Sequence, residues 1–313
     1  YEGAIEAVNS GMLKEEEIDG PCARLLALKF RMGLFENPRR PDLQKAAEQI
    51  ANPEHVSVNL DMARQSLILL QNDGILPLGG SQVKSIAVIG PNADDSVSQL
   101  GDWTLGAFQY PKAAGTQPRE KTVTVLDGMK AAAPEGVEIK YARGCAIDND
   151  DLSGIPTAVK TALDADVIVA VVGDHLNYIG ETLSTATLEL MGGQKDLLDA
   201  LASTGKPMIV VLVNSKPLVL PASADKAAAI IEAFNPGMQG GHAVAEAIFG
   251  QLNPCGKLRY MRVPTMPPSR RWLPCGCMSF GAVAWKRCVS PLPNWPTSLK
   301  PWWWQWKRIA QNI

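Results

Sequence analysis

Histidine is scarce in this chain: His55, His175 and His242 stand far apart among 313 residues, and no metal-ligand spacing joins them. An imidazole-bound metal centre is therefore not expected, and no cofactor is implied. Cysteine is nearly as sparse. Of its six copies three lie in the first 258 residues, with no regular spacing, so a disulfide framework is not expected. No apolar run approaches the roughly 20 residues that a membrane-spanning helix needs. The strand-to-loop segment GPNAD (90–94) has the look of a ligand site, yet it lacks GxGxxG and any GKS or GKT, which argues against a nucleotide cradle. The sequence opens mid-pattern at Tyr1, with no initiator Met and no signal-peptide architecture. The chain thus reads as a piece whose start lies elsewhere, and its compartment is left open.

Acids are missing from one region altogether. Residues 259–313 hold nine Lys and Arg and no Asp or Glu, so all 32 acids lie before them. The same segment contains seven of the eight Trp and eight Pro. A basic, aromatic-rich tail suits phosphate neutralisation and base stacking, or a membrane interface. Both need an organised surface, and this segment has neither helical nor alternating periodicity. Its composition fits an out-of-frame read, with CGC (275–277) accidental. The expectation is a tail that binds neither nucleic acid nor membrane.

Before that tail, helices and short apolar strands alternate. Residues 1–33 read as helices: Ile18, Cys22, Leu25, Leu26, Lys29 and Met32 recur at spacings of three and four, acids lead, and Gly33 stops the run. LFENPRRPDLQ (34–44) is a Pro-broken linker, and the linker region is set at 34–52. A second helix is predicted from about Pro53 to Asn72, with Val56, Leu60, Ala63, Leu67 and Leu70 on one face. Strands are predicted at 84–91, 137–144, 167–173, 206–214 and 226–234. Helices are predicted at 155–165, 193–203 and 238–250, and within 123–134 after a short strand or turn. This rhythm predicts an α/β fold: a three-layer α/β/α sandwich on a mostly parallel sheet, spanning 53–258. Gly240 and Gly241, at a helix start, suit an anion or, more simply, close packing.

The stretch from Asp166 to Gln194 carries the most information. DVIVAVVGD is apolar throughout, as expected of a strand covered on both faces. It runs into HLNYIGETLSTATLELMGGQ, a long polar loop with Glu181. Ligands in such sheets sit beyond the carboxyl ends of strands, so Glu181 stands where chemistry is usually done. Asp174 and His175 border the same strand end, and Tyr178 adds an aromatic side chain to the loop. Asp102 and Trp103 lie in a second loop, QLGDWTLGAF. Each of these residues also has an ordinary explanation as a turn, packing or solvated group.

Several segments then follow in a recognisable order: ARQSLILLQNDGILPL, IAVIGPNAD, YARGC, ADVIVAVVG, GETLSTATLELMGGQ, NPG and FGQLNPCGKL. Over residues 1–258 the chain resembles glycoside hydrolase family 3, the β-glucosidase and β-xylosidase group. EEEIDGPCARLLALKFRMGLFENP is similar to the end of that family's barrel domain, which makes residues 1–33 its expected remnant. The resemblance implies hydrolysis of a β-linked oligosaccharide or glycoside with retention. A barrel Asp would be the nucleophile, and Glu181, after Gly180, the general acid/base. It also implies a sugar cleft near Asp102, Trp103, His175 and Tyr178. The nucleophile's motif does not occur in this sequence, so the partner expected is the absent barrel domain. Two departures stand out: Ser184 and Thr185 occupy positions where the family often has Asp-Arg or Ser-Arg, and Met191 replaces a frequent Pro. The rival readings are a non-catalytic carbohydrate-binding or docking module, and a nucleic-acid or membrane binder acting through 259–313.

Overall fold

The structure is a computed structural model that describes residues 1–49, 52–80, 82–104, 119–181, 183–258, 260–262 and 272–274. The chain divides into two compact units, Tyr1–Met62 and Ala63–Ile313. The first is helical, with α1 (Glu2–Asn9), α2 (Glu15–Arg31) and α3 (Leu43–Gln49), followed by α4 (Pro53–Ser66), which continues into the second unit. Helix α2 opens with three Glu and closes near Lys29 and Arg31, matching both ends of its dipole. Gly33 then turns the chain at φ 64°. No residue of α1, α2 or α3 is buried.

The second unit is built on six strands in the order β1-β6-β5-β4-β2-β3. They are β1 (Ile68–Asn72), β2 (Ser85–Ile89), β3 (Glu138–Ala142), β4 (Val167–Gly173), β5 (Met208–Val213) and β6 (Ala229–Glu232). All pairings are parallel except β1 with β6. Every residue of β4 and β5 is buried, as their unbroken apolar runs require. From β2 the chain first winds outward through α5 (Val125–Ala132) to β3. It then returns past β2 through α6 (Ile155–Leu163) to β4, and on through α7 (Gln194–Ala202) to β5. Because parallel crossovers are right-handed, this reversal puts α5 on one face of the sheet and α6 and α7 on the other. Ala158, Ala162, Leu197, Leu198 and Leu201 pack there with Ile89, Ile168, Ala170 and Leu212.

Helix α8 (Gly240–Phe249) completes the α5 layer. A Cβ on Gly241 would lie 1.9 Å from Thr124 O, and one on Gly128 would lie 2.0 Å from Gly241 O. Gly128 and Gly241 serve the close approach of α5 and α8, and Gly240 N and Gly241 N already donate to Gly237 O and Val123 O, which removes the case for an anion there. Bidentate pairing of Arg64 with Glu246, at 2.7 Å, ties α4 to α8.

One predicted element is corrected. The helix expected over Pro53 to Asn72 ends at Ser66, and Ile68–Asn72 form the antiparallel edge strand β1. Val56 to Leu70 fit a helical stripe, but Leu67–Leu70 is also a four-residue apolar run. Leu67 is fully buried beside that edge, so pairing with β6 outweighs local periodicity. Beyond Leu258, two short strands, β7 (Tyr260–Arg262) and β8 (Trp272–Pro274), pair antiparallel. CGC (275–277) and WWWQWKR lie outside the described residues.

Candidate active site

The winding of the sheet reverses at β2, with β3 and β4 on either side of it. The crevice between the carboxyl ends of β2 and β4 is where a doubly wound sheet collects ligand loops. Asn92, after β2, is buried and donates its amide to Asp174 O at 2.9 Å across that crevice. GPNAD is thus a structural tie. Gly90, at φ 135°, lets the two strand ends meet, since a Cβ there would strike Val171 O.

The loop after β4 is anchored at its base by a side chain that mimics a strand. Buried Gln194 accepts from Gly173 N at 2.8 Å and donates to Gly173 O at 2.9 Å, satisfying both backbone groups of the last residue of β4. Gln194 also opens α7, so one amide joins the two ends of the loop. Farther out, Val219 N donates to Leu188 O at 2.8 Å, and Glu189 and Val219 form an isolated parallel bridge. The loop is long, but its ends and its returning limb are fixed.

Its outgoing limb starts at Asp174, only 3% exposed. Asp174 accepts from Ser215 N at 3.0 Å and from the Lys216 ammonium at 2.8 Å. His175 caps the short turn Leu176–Tyr178, its Nδ1 accepting from Asn177 N at 3.2 Å. Its ring stands edge-on to Tyr178, with centroids 6.4 Å apart. Leu176 and Ile179 bury themselves against Val97, gluing this limb to the loop after β2. Gly180 follows at φ 98°, and Glu181 emerges exposed.

Asp102 meets Glu181 from the other side. Glu181 N donates to Asp102 Oδ2 at 3.2 Å. A Cβ on Gly180 would lie 2.3 Å from the Asp102 carboxyl carbon, so glycine is demanded here by both φ and space. The loop bearing Asp102 is itself held by Asn235, which donates to Ser98 O at 3.1 Å and accepts from Ser215 Oγ at 2.6 Å. Trp103 follows at φ 61° with a mostly exposed indole. The structure therefore brings Asp102 to Glu181 and His175 to Tyr178 along one edge. A cavity of about 200 Å³, lined by Tyr178, Gly180, Ser184, Thr185, Ser215 and Lys216, lies beside the Glu181 limb.

Two charged groups at this edge, Lys216 and Glu232, escape a motif search. Lys216 and Asp174 pair beneath the loop. Glu232, at the end of β6, is 2% exposed and accepts from Phe234 N at 3.0 Å. Burial pushes its carboxyl up to about 7, only partly opposed by Phe234 N and the Asn214 amide. An acid inside the apolar run AIIEAF was the available signal. Cys145 is chemically quiet, because burial pushes its thiol up to about 12. Among the described residues no three His, Cys, Asp or Glu gather as a metal site, and no helix is long and apolar enough to cross a membrane.

The Glycosyl hydrolase family 3 C-terminal domain matches residues 67–269, well over half of the chain. The chain belongs to glycoside hydrolase family 3. The match continues past Leu258, where the resemblance was expected to stop. Among curated relatives, a β-xylosidase of Formosa agariphila is 41% identical over 244 residues, covering 77% of this chain and 32% of that protein. A periplasmic β-glucosidase of Salmonella typhimurium is 35% identical, covering 80% of this chain and 34% of that protein. The chain thus spans about a third of these relatives' length. Among solved structures, a β-glucosidase involved in saponin metabolism from intestinal bacteria superposes with a TM-score of 0.77 at 44% identity. That match covers 82% of this chain and 39% of that one. The α/β fold of this family 3 domain is the one expected from the alternating elements.

Proposed function

We propose that this chain supplies the proton-transfer half of a retaining β-glycosidase acting on β-glucosides or β-xylosides. Glu181 is the general acid and base, and the nucleophile belongs to a barrel domain. Residues 1–33 are then the end of that barrel, 34–52 a linker and 53–258 the sandwich. The observation that carries the reading is the placement of Glu181. It is an exposed carboxylate at the carboxyl edge of the sheet, with its backbone fixed by Asp102 and its approach shaped by Gly180. Relatives named β-xylosidase and β-glucosidase support the substrate class.

In the first step the barrel carboxylate attacks the anomeric carbon while the bond to the leaving oxygen breaks. Glu181 gives its proton to that oxygen, and an alcohol departs. In the second step the Glu181 carboxylate takes a proton from water, whose oxygen displaces the sugar from the nucleophile. Both carboxyls return to their starting forms. Retention needs the two about 5–5.5 Å apart, with one protonated and one ionised. Asp102, Trp103, His175 and Tyr178 are the residues of this edge placed to meet sugar. The chain alone turns over no ordinary glycoside, for want of the attacking group.

The test joins the 313-residue chain to a family 3 barrel and compares aryl with alkyl β-glycosides. Glu181→Ala slows the alkyl substrate, whose leaving group is poor, by about 10²–10⁴-fold and a dinitrophenyl substrate far less. Equal losses on the two count against the acid role.

A further inference from the structure

We infer that Lys216 is a positioning residue for Glu181, holding the backbone that leads to it; the inference rests on the acid/base reading above. Lys216 lies just beyond β5, on a different strand from the loop it would control. Its ammonium sits 2.8 Å from Asp174 Oδ1 and 3.3 Å from Tyr178 O. Asp174 is almost fully buried, and its second oxygen is occupied by Ser215 N. The carboxylate is therefore fixed in direction, and it fixes the ammonium in turn. Another N–H of that ammonium is left to point at the Tyr178 carbonyl.

From Tyr178 O the chain needs only Ile179 and Gly180 to reach Glu181 N. Ile179 is buried, Gly180 is held at φ 98° against Asp102, and Glu181 N is bonded to Asp102. Two polar anchors thus bracket this short segment, Lys216 after β5 and Asp102 after β2. Neither touches the Glu181 carboxyl, yet its Cα cannot swing away from the edge unless one of them lets go. A proton donor displaced by an ångström loses much of its effect, and the cavity beside this limb leaves it room to move once released.

The test uses the barrel fusion together with the 313-residue chain itself. Lys216→Met is expected to lower kcat on an alkyl β-glycoside about tenfold or more with little change in KM. The dinitrophenyl substrate should fall less than about threefold, and Lys216→Arg should restore most of the loss. The double variant Asp174→Asn/Lys216→Met removes the unpaired buried carboxylate and is expected to keep the leaving-group deficit. In the 313-residue chain, Lys216→Met should speed hydrogen exchange over residues 176–181 and leave β4 and β5 unchanged. Equal loss on both substrates, full recovery in the double variant, or unaltered exchange over 176–181 overturns the positioning role. Glu181→Ala run in parallel separates the two ideas, because absence of a leaving-group effect there defeats the acid reading whatever Lys216 does.

Discussion

Glu232 is one side chain whose burial makes the stability of the fold depend on pH. Its carboxyl moves from the ordinary 4.5 to about 7, because burial disfavours the charged form more than Phe234 N and Asn214 support it. The folded state therefore holds a proton that the unfolded chain has already released between these two values. That contribution is complete below about 4.5 and is lost as pH rises through 7, roughly 3 kcal/mol in all. Asp166 behaves in the opposite sense. Backbone donors at Lys84 and Ser85, with the Ser85 hydroxyl, hold it below its usual 3.8, so its effect lies at more acidic pH. Denaturant unfolding should find the protein less stable at pH 8 than at pH 5.5, and Glu232→Gln should flatten the difference. A slope unchanged by Glu232→Gln would assign it to other groups. At this scale the sequence exposed Glu181, because a carboxylate right after a glycine in the polar loop beyond an apolar strand stands out. Lys216 and Glu232 were hidden, since their importance comes from neighbours on other strands.

Among elements, the loop from Asp174 to Gly193 is the one that carries Glu181. A loop of this length would ordinarily be costly to hold in one form, yet here its two ends share the Gln194 amide. Gln194→Ala leaves both polar groups of Gly173 unpaired in a buried setting, a loss of about 1–3 kcal/mol for each group. Thermal unfolding should show the drop. Gln194→Glu, which keeps an acceptor for Gly173 N but has no amide N–H for Gly173 O, should recover only part of it. An unchanged melting temperature for Gln194→Ala would mean that water replaces the amide. The motif MGGQ was visible in the sequence, but nothing local said that its Gln reaches back across the loop to β4. The edge strand β1 makes the same point. Leu67–Leu70 is compatible with helix or strand by pattern alone, and only the open edge of β6 chose strand.

For the whole molecule, the sandwich offers one edge of loops, whereas a small-molecule site usually encloses 70–90% of its ligand. Calorimetric titration of the 313-residue chain with glucose, xylose or cellobiose should give no measurable heat below about 10 mM sugar. Binding at about 1 mM or tighter would favour a self-sufficient carbohydrate module over half of a shared cleft. The order of apolar strands and amphipathic helices was enough to determine the wound α/β sheet, because burial on two faces or one imprints itself directly on residue type. It also placed Glu181 beyond a strand end. What the chain's linear order left undecided were the antiparallel edge and the meeting of Asp102 with Gly180 and Glu181. The pairing of Asp174 with Lys216, whose ammonium also reaches Tyr178 O, was equally undecided. Those contacts join strands far apart in sequence, and their energies exist only once the sheet has brought the strand ends together.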